Sequence, residues 1–522
     1  MDFDIISQAK TPILEALWQC ATRTNHAPFY TPGHKRGEGI TQQLIDYFGK
    51  AIFSADLPEL PELDNLFAPQ GVIQEAQELA AAAFGAEKTW FLVNGSTCGV
   101  EAAILATCGV GDKIILPRNV HNSAIAGLIL SGAVPIFIAP EYNSVLDLAH
   151  SITPEAVAAA LTQHPDAKAV LMVCPTYYGV CGDVTAIASL AHQYHIPLLV
   201  DEAHAPHFAF HPKLPTPALA AGADLSIQST HKVLGAFTQA SMLHVSGNRI
   251  DRDRLNKSLQ LLQSTSPSYL LLASLDAARQ QMALYGEELM TKTLRLADEA
   301  RNRLSQIPQM AVLHLADKTP GFLALDETRL TVTVSHLGIT GFAADEILHQ
   351  ELGITAELPS FQHLTFIISL GNTAADIERL IEGFHVLAER STKESQNHLT
   401  PVRAGLAKRL TAEAFNFCSK PAPTTLHSPL TPREAFFAAT ETLPFHQTRD
   451  RISAELVCPY PPGIPILMPG EVITSEALEY LQQIQAWDGY ITGCTDPTLS
   501  QLKVVKVKVV GAGLAKDASL KQ

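Results

Sequence analysis

Lys232 is the residue of this sequence whose type and position most directly suggest chemistry. It follows a short apolar run that ends at Ile227, with the polar residues 228–231 in between. A primary amine held on a fixed element can form a Schiff base with a carbonyl cofactor. Most lysines are solvated surface charges, so the interpretation of Lys232 depends on the residues that the fold brings next to it.

Asp201 directly follows the apolar run Pro197–Val200, 31 residues before Lys232. That separation is about one strand-helix-strand unit, which suits the ends of neighbouring strands. An aspartate at this position either begins a loop or holds a proton on a ligand nitrogen. A carboxylate beside a protonated pyridine nitrogen keeps the ring cationic, which is what an electron sink requires.

The stretch Asn94-Gly95-Ser96-Thr97 follows another apolar run and precedes a helical pattern through Val100–Ala106. Gly95 allows a sharp turn, and Ser96 and Thr97 then occupy the first helical turn. Free N–H groups, the positive end of the helix dipole and two hydroxyls would bind an anion there. The alternative is a plain helix cap that needs no ligand.

His121 follows a third predicted strand and could stack on an aromatic cofactor ring. A single histidine is more often structural or exposed, and this chain has 20. In chain order, however, the four features form an anion cup, a stacking imidazole, an acid for a ring nitrogen and a Schiff-base lysine. Together they predict a pyridoxal phosphate site.

The elements that would position these residues alternate between strands and helices from Thr89 onward. Helical stretches include Val100–Ala106 and Ala186–His192. The strand-like runs are Trp90–Val93, Lys113–Leu116, Val134–Ile138, Ala169–Val173, Pro197–Val200, Leu225–Ile227 and Ser241–Val245. Nearly continuous apolar strands that alternate with helices predict an α/β fold with a mainly parallel, seven-stranded sheet covered on both faces. Ligands bind outside the carboxyl ends of such strands, so one crevice could hold the whole site.

The rest of the chain is divided by its periodicity and composition. An apolar face of Ile13, Leu14, Leu17 and Trp18 predicts a helix near the N-terminus. Strands are predicted at Arg329–Ser335, Leu364–Ser369 and Lys503–Val510. The predicted domains are an N-terminal helical arm (1–30), a cofactor-binding large domain (31–269), a small α/β domain (270–390), a linker (391–430) and a C-terminal α+β domain (431–522).

Composition narrows the class of protein. A chain of 522 residues that is 47% hydrophobic and 17% charged predicts a globular protein of about two or three domains. A net charge of −15 argues against nucleic acid as a partner and is compatible with cationic substrates. Eight cysteines without a CxxC pair predict reduced thiols and no metal site. Without a recognisable signal peptide or spanning segment, we expect a cytoplasmic protein with no membrane partner.

The motifs together resemble the pyridoxal-dependent ornithine, lysine and arginine decarboxylases, which have the aspartate aminotransferase-like fold known as fold type I. The resemblance covers about residues 27 to 510. It rests on Thr31–Lys35, Leu63–Leu66, Asn94–Thr97, Arg118–His121, Asp201–His204, Ser229–Lys232, Thr265–Tyr269, Pro459–Pro465 and Pro469–Glu471.

The resemblance implies the roles of individual residues. Lys232 would hold the cofactor covalently, Asp201 would pair with its pyridine nitrogen, and His121 would stack on its ring. His204 would lie near its phenolic oxygen. The phosphate would be held by Ser96, Thr97, Ser229 and His231, with Gly95 and Ala203 completing the cofactor-binding set. The catalytic set would be Lys232, Asp201, His121 and His231.

The resemblance also implies a second chain and a basic substrate. Thr265 would reach the phosphate of the partner subunit, and Glu455 would meet the distal cation of the substrate. The large members of the family carry an N-terminal wing domain, for which a Thr-Pro-Gly-His-Lys motif at Thr31 leaves no room. A homodimer or a dimer of dimers with shared active sites is therefore expected. Asn122 stands where a lysine is common and Asp450 where a glycine is common, which leaves details of the rim open.

The implied reaction is α-decarboxylation of a basic L-amino acid to its amine. Arginine and lysine are the expected substrates, with ornithine third, and the wingless form favours arginine slightly. Two alternatives remain: an aminotransferase or another enzyme of the same fold, and a catalytically silent paralogue that regulates other proteins.

Overall fold

The computed structural model describes residues 5–315, 319–396, 428–460, 464–486 and 489–506. The chain forms two compact units, residues 1–421 and residues 422–522. Among the described helices, none combines the length and apolarity needed to cross a membrane.

A seven-stranded sheet is the centre of the first unit. Its strands in chain order are β1 (Lys88–Leu92), β2 (Lys113–Pro117), β3 (Val134–Ile138), β4 (Ala169–Val173), β5 (Leu198–Asp201), β6 (Leu225–Gln228) and β7 (Ser241–Val245). Their spatial order is β1-β7-β6-β5-β4-β2-β3. The strand β7 runs antiparallel to both of its neighbours, β1 and β6, and all other pairs of neighbouring strands in this sheet are parallel. The prediction of a mainly parallel, seven-stranded sheet is confirmed.

Residues on both faces of the central strands are buried, as expected for a sheet covered on its two sides. The surrounding helices are Val72–Phe84, Gly95–Thr107, Asn122–Ser131, Pro154–Gln163, Val184–Gln193 and Arg252–Leu262. The helix Gly95–Thr107 lies very close to the sheet at Gly99. A Cβ atom at Gly99 would lie 2.8 Å from side-chain carbons of Ile227 and Leu92, so this approach requires glycine.

The N-terminal segment contains the helices Ile5–Gln8, Pro12–Ala21, Gln42–Phe48 and Lys50–Ala55. The second of these, Pro12–Ala21, confirms the helix that the apolar face predicted. Ile13 and Leu17 are buried, whereas Leu14 and Trp18 are 39% and 68% exposed. The helix is oriented by Asp276, whose carboxylate accepts a hydrogen bond from the Ile13 backbone N–H at 2.9 Å.

A 36-residue helix, Tyr269–Leu304, leads from the large sheet into the small α/β domain. The small domain has an antiparallel sheet in the order Ala311–Val312, Arg329–Thr333, His363–Ile367 and Leu358–Pro359. The helices Gly341–Leu352 and Ala374–Gln396 complete it. The two strands predicted in this region are confirmed, although each ends two residues earlier than expected.

The second unit mixes helices and strands around its own core, which confirms the predicted α+β class. It contains the helices Pro432–Phe437 and Ser475–Ala486. Its strand pairs are Thr440–Pro444 with Gln501–Val505 and Cys458–Tyr460 with Tyr490–Thr492. The predicted last strand is found at Gln501–Val505, and residues 507–510 of that prediction lie outside the described residues. Most of the predicted linker, residues 397–427, also lies outside them.

Candidate active site

Lys232 lies in the short helix Thr230–Val233, directly after β6. Its Nζ atom is 2.9 Å from Nε2 of His204. Burial lowers the pKa of Lys232, the charge of Asp201 opposes that effect, and Arg329 lowers the pKa further. Burial also holds the pKa of His204 well below its usual value, and the charges of Lys232 and Arg329 add to the effect. The amine and the neutral imidazole therefore share a hydrogen bond, in which the lysine is the donor whenever it is protonated.

Asp201 is the last residue of β5 and lies between Val173 of β4 and Ile227 of β6. Its side chain is buried, and one carboxylate oxygen accepts a hydrogen bond from the Ala203 backbone N–H at 3.2 Å. Its charge acts on both His121 and Lys232. Asp201 therefore sits at the carboxyl edge of the sheet, where the topology places ligands.

His121 caps the helix Asn122–Ser131. Its Nδ1 atom accepts a hydrogen bond from the Ser123 backbone N–H at 3.2 Å and lies 2.9 Å from the Ser123 hydroxyl. Burial lowers the pKa of His121, the charge of Asp201 opposes that shift, and Lys232 reinforces it. The imidazole is therefore neutral, with its hydrogen on Nε2 and its plane fixed by the cap.

The predicted phosphate residues come together from two strand ends. The Ser229 hydroxyl donates to the Ser96 hydroxyl at 2.7 Å. Ser96 lies in the first turn of the helix Gly95–Thr107, beside Thr97. The N-cap residue Asn94 makes no side-chain cap to this helix, so its first N–H groups remain available to an anion.

His231 lies between Ser229 and Lys232 and is held by Ala240, the residue before β7. Its Nδ1 donates to the backbone oxygen of Ala240 at 3.0 Å, and its backbone N–H donates to the same oxygen at 3.2 Å. Burial lowers the pKa of His231, so this imidazole is neutral too, with Nε2 as an acceptor.

Two predicted residues have different surroundings. Thr265 is exposed on the loop after the helix Arg252–Leu262, where the backbone N–H of its neighbour Ser264 donates to the Asn94 side chain at 3.3 Å. Glu455 belongs to the second unit. Its two carboxylate oxygens accept from the backbone N–H groups of Thr495 and Lys503, each at 2.8 Å. Glu455 thus has a structural function in that unit, and its role toward a substrate stays a prediction.

The structure adds two residues that the sequence did not single out. The Tyr177 ring lies 4.3 Å from the His204 ring between centroids and 5.4 Å from Nζ of Lys232. Arg329, the first residue of the small-domain strand Arg329–Thr333, donates to the His204 backbone oxygen at 3.1 Å. Tyr177 could have been found because it follows β4 at the same carboxyl edge. Arg329 carries no comparable sequence pattern.

This donor set fits pyridoxal phosphate. A buried amine of lowered pKa, a buried carboxylate and a neutral imidazole match the aldehyde, the ring nitrogen and the ring face. A helix N-terminus with clustered hydroxyls matches the phosphate. Two buried polar atoms, Nδ1 of His204 and Oγ1 of Thr230, have no hydrogen-bond partner among the described residues. Buried polar atoms of that kind call for a partner that the protein itself does not supply.

Comparison with known proteins agrees with this chemistry. Residues 11–393 match the family model "Orn/Lys/Arg decarboxylase, major domain", and residues 408–496 match "Orn/Lys/Arg decarboxylase, C-terminal domain". The arginine decarboxylase of Bacillus subtilis is 39% identical over 96% of this chain and 99% of its own length. The arginine decarboxylase of Bacillus anthracis is 38% identical over 96% of this chain and 98% of its own.

A solved structure extends the similarity to the fold. Lysine decarboxylase A from Pseudomonas aeruginosa superposes with a TM-score of 0.81 at 25% identity. The match covers 96% of this chain and 81% of that protein. The chain therefore belongs to the Orn/Lys/Arg decarboxylase family.

Proposed function

We propose that this protein converts L-arginine to agmatine and carbon dioxide. As a family member it is a pyridoxal-phosphate-dependent decarboxylase of a basic amino acid. The observation that carries the proposal is the convergence of Lys232, Asp201 and His121 at one edge of the sheet, with His204 2.9 Å from the lysine amine.

The bound cofactor supplies an electron sink that accepts the electron pair of the bond between Cα and the carboxylate. Asp201 keeps a proton on the cofactor ring nitrogen, because a carboxylate there stabilises the cationic ring. His121 limits the tilt of the ring, since its own imidazole is fixed by the helix cap. Ser96, Thr97 and Ser229 would hold the phosphate end, so that the reacting atoms stay aligned with Lys232. His231 could donate to the phosphate only from a protonated Nε2, because its Nδ1 hydrogen is bonded to the backbone oxygen of Ala240.

Lys232 has two functions in this proposal. Its lowered pKa increases the fraction of neutral amine, which is the nucleophilic form. The same amine is the candidate that returns a proton to Cα after carbon dioxide has left. His204 orients the amine through the hydrogen bond between them. The Tyr177 ring packs against the His204 ring.

Arginine is the proposed substrate because two relatives with 38–39% identity, which align over nearly the whole length of both chains, are named arginine decarboxylases. The chain charge of −15 favours the approach of a cationic amino acid. We keep Glu455 as the proposed contact for the distal guanidinium. Its oxygens each accept one backbone hydrogen bond, which leaves acceptor capacity on each.

The active unit is proposed to be a homodimer or a dimer of dimers, with Thr265 acting on the phosphate of the partner. Its exposure in the single chain is compatible with that role. A cytoplasmic location is also proposed. The seven cysteines in the described part of the chain form no disulfide, as expected in a reducing compartment.

A product assay tests the proposal. Purified holoenzyme receives arginine, lysine or ornithine separately, and mass spectrometry quantifies agmatine, cadaverine and putrescine. A dominant agmatine signal that disappears in Lys232→Ala supports the proposal. Cadaverine or putrescine as the main product would reassign the substrate. A keto acid would indicate an aminotransferase, and no turnover of a cofactor-loaded protein would indicate a silent paralogue.

A further inference from the structure

Arg329 is connected to the lysine site through one residue. Its side chain is completely buried, and its Nη2 atom donates to the His204 backbone oxygen at 3.1 Å. The imidazole of the same His204 lies 2.9 Å from Nζ of Lys232. The small-domain strand Arg329–Thr333 thus reaches the candidate active site at its first residue.

A second contact ties the same loop to the same strand. Asp326 Oδ2 lies 3.2 Å from Nε2 of His207 and 3.7 Å from Nε of Arg329. All three side chains are completely buried. The segment 326–329 therefore contacts the loop after β5 at two points, His204 and His207.

Gly179 leaves space for the aliphatic part of the Arg329 side chain. Gly179 has a φ of +87°, and a Cβ atom there would lie 2.8 Å from Cβ of Arg329. A side chain at Gly179 would displace either the arginine or the turn that carries Tyr177. Arg329 consequently has little freedom to move away from His204.

The guanidinium charge is only partly compensated. Its Nε and Nη1 atoms make no hydrogen bond within the described residues, and Asp326 divides its carboxylate between Arg329 and His207. Glu357 is a second carboxylate whose charge acts on the guanidinium. Such a charge in a buried environment acts strongly on its neighbours. It lowers the pKa of both Lys232 and His204, in each case after burial as the larger cause.

Other charged groups face the same amine. Asp201 and Glu357 raise the pKa of Lys232, whereas Arg329 lowers it. His121 and His204 lie in the field of the lysine and are neutral, since burial lowers the pKa of each. Arg329 is therefore the cationic group that offsets the two carboxylates.

We propose that Arg329 is a positioning residue for Lys232: it fixes His204 through its backbone oxygen, and with it the imidazole that contacts the lysine amine, and it adds a buried positive charge that acts on that amine. This inference rests on the proposed function, since it assumes that Lys232 binds the cofactor. It adds a residue of the small domain to a site otherwise built from the large sheet.

The test measures how fast the apoenzyme binds pyridoxal phosphate covalently. Aliquots are reduced with borohydride at successive times, and peptide mass spectrometry quantifies the modified Lys232 across neutral and alkaline pH. The rate follows the neutral fraction of the amine. Arg329→Gln should move the midpoint of the rate profile upward by about one pH unit, which slows the reaction by up to about tenfold at pH values below the wild-type midpoint. Arg329→Lys, which retains the charge, should restore most of the rate.

Glu357→Gln is the matched control, because it removes a charge of opposite sign that acts on the same amine. Its midpoint should move downward, and purely structural damage would not produce shifts of opposite sign. An unchanged midpoint in folded Arg329→Gln, or shifts in one direction for both variants, would overturn the inference. If Arg329→Gln does not fold, Arg329→Met, an apolar side chain of similar length, takes its place, and a wild-type midpoint in that variant would overturn the inference. No modification of Lys232 in the wild-type apoenzyme would instead contradict the proposed function.

Discussion

The Nζ atom of Lys232 lies 2.9 Å from Nε2 of His204, and burial lowers the pKa of both side chains. The two residues come from different strand ends, after β6 and after β5. The amine of Lys232 must be neutral to act as a nucleophile. It shares a hydrogen bond with the imidazole of His204, which is neutral because burial lowers its pKa. The chemistry proposed for this protein depends on this pair.

Replacing Lys232 with Ala should abolish decarboxylation, because no other group would supply the covalent attachment and the proton for Cα. Release of labelled carbon dioxide from carboxyl-labelled arginine measures the effect. Thermal unfolding of the variant should stay close to that of the wild type. Turnover at the wild-type rate would remove Lys232 from the mechanism.

Replacing Asp201 with Asn should lower kcat by at least about 100-fold, because the amide no longer stabilises a proton on the ring nitrogen. Cofactor occupancy, read from its absorbance, separates this effect from lost binding. The neighbouring Glu202 offers a control, since its carboxylate is bonded to Ser226, Gln228 and the Ala218 backbone N–H and not to the site. Glu202→Gln should change stability more than kcat, and the reverse pattern would contradict these assignments.

Glu202 also predicts a dependence of stability on pH. Burial raises its pKa to about 7, although hydrogen bonds from Ser226 and Gln228 oppose the shift. Because the folded pKa exceeds the unfolded one, the stabilisation from Glu202 is complete at acidic pH and is lost as the pH rises toward 7. The difference in unfolding free energy between wild type and Glu202→Gln should therefore fall over that window, by up to about 3 kcal/mol. A constant difference would show that Glu202 keeps an ordinary pKa.

Replacing Ser96 with Ala should weaken the binding of pyridoxal phosphate by about tenfold or more, since a hydrogen bond to a charged group contributes about 1.5 to 3 kcal/mol. The loss also releases the Ser229 hydroxyl from its 2.7 Å contact. Equilibrium dialysis of the apoenzyme measures the affinity. Ser123→Ala is a suitable comparison, because this hydroxyl contacts His121 at 2.9 Å and not the predicted phosphate position. Equal losses in the two variants would argue against a phosphate site at Ser96.

The sequence predicted the large sheet well because its strands are short, continuous apolar runs between helical patterns. Lys232, Asp201 and His121 could be found for the same reason, since each follows such a run. The N-terminal helix was harder. Its apolar residues form one broad face, and which part of that face is buried depends on contacts with the distant helix Tyr269–Leu304, including the one with Asp276.

Arg329 and Tyr177 could not be assigned from sequence with the same ease. Arg329 begins a strand of another sheet, and its role depends on a hydrogen bond across 125 residues of chain. Glu455 illustrates the opposite case. The family resemblance singled it out for the substrate, whereas its two backbone hydrogen bonds also make it part of the internal structure of the second unit.

The most direct test of the central claim is the amine product from arginine. Holoenzyme incubated with L-arginine should release agmatine and carbon dioxide in equal amounts, faster than it releases cadaverine from lysine or putrescine from ornithine. The absence of all three amines from a protein with bound pyridoxal phosphate would contradict the account.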